Sequence, residues 1–224
     1  AAPILSLQGR VCYLNEVFKT QKPKIVFMDM TLLDSPKSYF ESHRHNIYSY
    51  LPASYNHYSF ALRSVEPKHW EEMVVPLKLY HSNWKTFSKS SVNYFLNGSE
   101  SKRGYLGPIG QNKKPLWPDG PDKNVTLTSS QYDAFSQMIA IAEKNHAQLV
   151  FYATPSGMKY QTSYVDVLAN HYKSHNNVHF LNMNQWARRA KLSRTLDFYD
   201  DTHLNVEGAA KLTPYISNYL NSFY

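Results

Sequence analysis

"QYDAFSQMIAIAEKNHAQLVFYATP", residues 131–155, decides the fold. Residues 131–146 read as a helix, with Ser129 or Ser130 as its cap. Residues 147–155 read as a strand that stops at Pro155. The same helix-then-strand unit recurs on both sides. Upstream, Leu5, Leu7, Val11, Leu14, Val17 and Phe18 recur at helical spacing, and Pro23 prevents the helix from continuing. "KIVFMDM" (24–30) follows, an apolar run of the kind a parallel sheet buries on both faces. Downstream, "SYVDVLANHYKSH" (163–175) reads as a helix and "NVHFLNM" (177–183) as a short strand. "VEGAAKLTPYISNYLNSFY" (206–224) makes the closing helix. This rhythm predicts an α/β fold, a three-layer α/β/α domain around a mainly parallel sheet.

The composition agrees with a globular chain. The 224 residues are 42% hydrophobic and 15% aromatic, which provides a core and argues against disorder. No run of 18 apolar residues is present, so no transmembrane helix is expected. The start, "AAPILSLQGR", has no initiator Met and no signal-peptide pattern, and reads as the interior of a longer protein. The single cysteine, Cys12, cannot form an internal disulfide and is expected as a small core residue. The formal net charge is +7, which favours a polyanionic partner such as nucleic acid, anionic headgroups or cell-wall polymers. Its lysines are scattered, with short clusters at 100–104 and 112–115. There is no zinc-finger spacing and no RNA-binding signature, so no nucleic acid is expected.

Residues 32–128 break the rhythm and read as a long irregular insertion within one domain spanning 1–224. Residues 66–87 look helical in pieces, broken by Pro76. "GYLGPIGQNKKPLWPDGPDKN" (104–124) is turn chemistry throughout, as expected of a segment that shapes or covers a site. Tyr48, Tyr50, Tyr55, Tyr58, Trp70, Trp84 and Trp117 have the surfaces to stack on sugar rings, but more of them are expected to pack as the core of the insertion. "HRH" (43–45) lacks metal-ligand spacing, and neither a metal nor an organic cofactor is implied. "NGS" (97–99) and "NVT" (124–126) match a glycosylation pattern that is common by chance.

"FYDDTHLNVEGAAKL" (198–212) carries the chemistry. It lies after the last strand and its short helix and before the closing helix, where open α/β sheets gather their catalytic groups. Asp200 stands three residues before His203. A carboxylate at that spacing can hold the imidazole Nδ1–H and leave Nε2 to act as base. The two are expected to be hydrogen-bonded, at the carboxyl edge of the sheet. Asp201 is the weaker candidate for the orienting role.

"DDTHLNVEGAAKL" resembles the last conserved block of the SGNH/GDSL hydrolases. It is more similar still to the branch that modifies surface polymers: polysaccharide O-acetyltransferases and the D-alanyl transfer proteins of teichoic acid synthesis. "VCYLNEVFKTQKPKIVFMDM" and "FSQMIAIAEKNHAQLVFYATPSG" are similar to helix–strand units of the same family, and roughly half the chain fits. The resemblance implies a flavodoxin-like sheet, Asp200 and His203 as catalytic residues, and a serine nucleophile. The family's Gly-Asp-Ser or Gly-Ser-Ser block does not precede Ala1, and its Gly-x-Asn-Asp block is replaced by "MDMTLLDS". The nucleophile is therefore expected upstream of this chain. Ser35, before Pro36, reads otherwise as a turn-capping residue. Ser156, between Pro155 and Gly157, reads as a turn residue.

The resemblance implies acetyl or D-alanyl transfer to or from hydroxyls of a cell-surface glycan or teichoic polymer, outside the membrane. It further implies an upstream anchor and a membrane-bound O-acyltransferase as partner. Two alternatives are an SGNH esterase of small or lipid esters and a non-catalytic polymer-binding module on a degenerate SGNH fold.

Overall fold

The computed structural model describes residues 7–30, 54–64, 67–71, 110–111, 126–155, 163–200 and 203–223. In chain order these form α1 (Leu7–Thr20), β1 (Ile25–Asp29), α2 (Tyr55–Ser64), a 3-10 turn (Pro67–His69), α3 (Ser129–Lys144) and β2 (Gln148–Ala153). Then follow α4 (Ser163–His171), β3 (Val178–Asn182), α5 (Asn184–Arg189) and α6 (Val206–Asn221). The protein is an α/β protein. Its described residues group into two compact units. One contains α1, α2 and Asp133–Ile141 of α3; the other contains the three strands and residues 142 onward.

In the strand-bearing unit, β1, β2 and β3 pair in that order and in parallel. Ile25 stands opposite Gln148 and Asp29 opposite Tyr152; Leu149 stands opposite Val178 and Ala153 opposite Asn182. Side chains alternate across the pleat, so this register sorts them onto two faces. One face presents Ile25, Phe27, Val150, Tyr152 and Leu181. Helix α6 lies over it, with Leu212 in the buried cluster of Val150, Leu181 and Met183. Ile216, Tyr219 and Phe223 pack on that cluster too, continuing the helical spacing from Leu212. The opposite face presents Phe151 and Phe180, stacked at 5.2 Å. Tyr172, just past α4, stacks on Phe180, and α4 packs against β3. Helix, sheet, helix is the layering that the sequence predicts.

Several expectations need correction. Residues 25–28 of β1 are half-buried, whereas Leu149, Val150 and Phe151 of β2 are fully buried. Among the described strands β1 has one neighbour and β2 has two, which is why the central strand takes the core. The cap of α3 is Thr128, not Ser129 or Ser130. The Thr128 hydroxyl accepts from Gln131 N–H at 3.3 Å, and Gln131 Oε1 accepts from Thr128 N–H at 2.7 Å. This reciprocal pair is a capping box, and it satisfies two donors where a lone serine satisfies one. Within residues 32–128, the described residues include the helix α2. Tyr55, Tyr58 and Trp70 are exposed, and Tyr48, Tyr50, Trp84 and Trp117 lie outside the described residues. The remainder of 66–87 beyond Glu71 lies outside the described residues.

Two titratable groups report on packing. His179, on β3, donates from Nε2–H to Gln148 Oε1 at 3.0 Å and meets the Phe223 ring edge-on. Burial pushes its imidazole below the ordinary histidine value. In the other unit, α1 packs against α2 and Glu16 pins the pair. Glu16 Oε1 accepts from Ser54 Oγ at 2.6 Å, Asn56 Nδ2 at 2.8 Å and Lys19 Nζ at 2.6 Å. Burial alone would raise its carboxyl, but these donors outweigh it and hold the group below the ordinary carboxylate value.

A carboxyl with a depressed folded-state value adds stability above its unfolded value, and that stability is lost as pH falls through the folded one. Glu16→Ala should therefore cost about 1 kcal/mol at neutral pH. Its disadvantage relative to the parent should shrink as the pH drops below the ordinary carboxylate range. Denaturant melts of both proteins at neutral and acidic pH check this; equal midpoints at neutral pH would contradict the pin.

Candidate functional site

The site is built on the segment between α5 and α6. Helix α5 ends with Leu192 N–H bonding Ala187 O and Lys191 N–H bonding Arg188 O, which reverses the chain. Residues 193–197 then close a turn. Ser193 N–H donates to Asp197 Oδ2 at 2.6 Å, and Asp197 N–H returns a bond to Ser193 O. Asp197 is 1% exposed. Its carboxylate receives Lys211 Nζ from α6 at 2.9 and 2.8 Å, so the buried charge is both paired and hydrogen-bonded.

Asn205 joins this turn to α6. Its backbone is extended, and its Oδ1 accepts from Gly208 N–H at 2.9 Å, the usual N-cap arrangement. Its Nδ2 donates to Leu196 O at 2.6 Å and to Gly110 O at 2.8 Å. One buried amide thus starts the helix and holds two loop carbonyls. Gly208 is required by close approach. A Cβ there would overlap the Asp197 carbonyl oxygen, which is backbone and has no rotamer to move into.

Residues 198–200 and 203–205 pair antiparallel on this base, with Asp200 and His203 at the tip of the described stem. Phe198 and Leu204 form an antiparallel bridge, Asn205 N–H bonds Asp197 O, and Tyr199 N–H bonds His203 O at 2.8 Å. Phe198 is fully buried and Leu204 packs on the cluster of Val150, Leu181, Met183 and Leu212. The stem is therefore anchored in the core beneath α6, while the tip is exposed.

The tip brings Asp200 and His203 together. His203 Nδ1 lies 2.9 Å from each oxygen of the Asp200 carboxylate. The His203 backbone N–H also donates to Asp200 Oδ1 at 2.8 Å. An ionised carboxylate has no proton to give, so Nδ1 carries the hydrogen of these contacts. The side chains are 71% exposed for His203 and 44% for Asp200. An exposed pair of this kind adds little to stability, and its effect is orientation. The carboxylate thus engages the Nδ1 side of the imidazole. Asp201, Ser35, Ser156 and "HRH" (43–45) lie outside the described residues. Among the described residues, no three of His, Cys, Asp and Glu stand where they would hold a metal ion.

Asp197, Asn205, Gly208 and Lys211 were not among the sequence candidates. Asn205 before an acidic first turn carries a capping signal. The Asp197–Lys211 pair spans 14 residues, and no local pattern announces it.

No family model matches the chain, and no curated protein or solved structure matches it.

Gly208→Ala should destabilise the protein by about 3 kcal/mol, because the methyl group forces α6 away from the Asp197 turn. Thermal melts of Gly208→Ala and of Ala209→Gly compare a steric effect with a helix-propensity effect. The first should lose clearly more than the second, and an equal loss would remove the close approach as the cause.

Proposed function

We propose that this chain is an SGNH-like acyl-transfer domain acting outside the membrane on hydroxyl esters of a cell-surface glycan or teichoic polymer. The observation that supports the reading is the Asp200–His203 pair, with Nδ1 committed to the carboxylate, on a loop after the last strand of a parallel sheet. In the reaction, Nε2 of His203 takes the proton from a serine Oγ as that oxygen bonds to the acyl carbonyl carbon. The same nitrogen returns the proton to the departing alkoxide oxygen, leaving an acyl-serine. An incoming hydroxyl then repeats the step in reverse, and the acyl group leaves on the acceptor. Asp200 fixes the tautomer and stabilises the imidazolium formed at each stage. The serine is supplied upstream of Ala1 or by Ser35 or Ser156. An acceptor sugar makes the protein a transferase, and water makes it an esterase.

The test is turnover of p-nitrophenyl acetate and acetyl transfer to a glycan acceptor. The chain as it stands, the chain with its natural upstream sequence, and the Ser35→Ala, Ser156→Ala, Asp200→Asn and His203→Ala variants are compared. His203→Ala should reduce turnover by on the order of a thousandfold or more in whichever form is active, and Asp200→Asn should also be severely impaired. Turnover by His203→Ala equal to the parent's would defeat the reading. Silence of every form toward both assays would favour the non-catalytic polymer-binding module.

A further inference from the structure

The pairing of the stem sorts its side chains onto two faces. Phe198 and Leu204 stand opposite one another and turn into the core. Side chains alternate along a strand, and directly opposed residues share a face. Tyr199 and His203, joined by the Tyr199 N–H bond to His203 O, therefore stand together on the other face, and Asn205 follows on the same side. Gly110 meets the stem there. It lies 95 residues before Asn205 in the chain, and belongs to the same compact unit. Its carbonyl accepts from Asn205 Nδ2 at 2.8 Å. It also lies against the Tyr199 ring, so close that a Cβ would stand 3.3 Å from Cδ2 and 3.4 Å from Cε2.

These two contacts fall on different arms of the stem. Tyr199 immediately precedes Asp200 on one arm, and Asn205 stands two residues past His203 on the other. Residue 110 thus bridges the arms next to the pair. Its own conformation is costly for any residue but glycine, since φ is 145°. Gly110 is exposed, so its close fit serves the stem rather than the core. The His203 side chain is exposed too, and packing constrains it little. The orientation of the imidazole therefore follows the backbone that carries it.

We propose that Gly110 is a positioning residue for His203. By tying the Tyr199 arm to the Asn205 arm, it sets the spacing at which the Asp200 carboxylate meets Nδ1. Glycine is needed there twice over, for its φ and for the space the Tyr199 ring occupies. The use of that spacing in proton transfer rests on the acyl-transfer reading; the positioning itself does not, and is measured without catalysis.

The experiment is nitrogen NMR of the full chain carrying isotope-labelled histidine, at a pH where the imidazole is neutral, with the His203 signal identified by its loss in His203→Gln. Asp200→Asn supplies the signature of a ring released from the carboxylate. The parent should differ from it by a larger share of Nδ1–H over Nε2–H. Gly110→Ala and Tyr199→Ala should each lose most of that difference. Tyr199→Phe should keep it, because the Gly110 contacts are to ring carbons and not to the hydroxyl. Glu16→Ala, which loosens the other compact unit, should also keep it. Where a form turns over esters, Gly110→Ala should lower kcat by on the order of tenfold with KM little changed. A parent signature retained in both Gly110→Ala and Tyr199→Ala would overturn the proposal. So would an equal loss in Glu16→Ala, which would mean general loosening, or a parent indistinguishable from Asp200→Asn. A chain silent toward esters that shows the expected signatures would keep Gly110 as a positioning residue and discard the acyl-transfer reading. Active esters with an unmoved signature would do the opposite.

Discussion

The buried Asp197 carboxylate is the contact on which the site depends. Removing a charge from water is expensive, and the expense is met only where every oxygen finds a strong partner. Here the partners come from two directions, the Ser193 N–H within the turn and the Lys211 ammonium on α6. The carboxylate therefore sets the start of α6 against the turn before it. Asn205 and Gly208 complete the joint, one by capping the helix and the other by leaving space for the Asp197 carbonyl. Loss of Lys211 would leave a buried Asp197 charge with the Ser193 N–H as its one remaining donor among the described residues, whereas Lys211 itself is open to water.

What this joint supports is an exposed pair on a buried stem. Phe198 and Leu204 hold the hairpin to the core, and the hydrogen bonds of Asp200 fix the imidazole at its tip. The pair itself is too exposed to stabilise the fold much. Its geometry is maintained by the stem and by two acceptor contacts to one ring nitrogen.

The sheet explains why the hairpin falls where it does. Parallel strands are joined by crossovers, and the segment between β3 and α6 follows the last of the described strands. Helix α6 has to lay Leu212, Ile216, Tyr219 and Phe223 on the face made by Val150 and Leu181. That requirement fixes the axis of α6, and with it the position of its capped end.

The sequence by itself determined the alternation of helices and strands, because apolar spacing and proline breaks are local signals. It also brought Asp200 and His203 into reach of each other, since three residues cannot separate them far. It misplaced the cap of α3, where Thr128 and Gln131 make a reciprocal pair that single-residue preference does not reveal. It left α2 unseen, because a tyrosine- and histidine-rich helix lacks a clear apolar stripe. Tertiary structure alone decided the burial of Asp197, its pairing with Lys211, the double grip of Asn205 and the half-burial of β1. Each depends on which distant segments meet, and a charge or an amide carries no mark in the sequence of the partner that folding will give it.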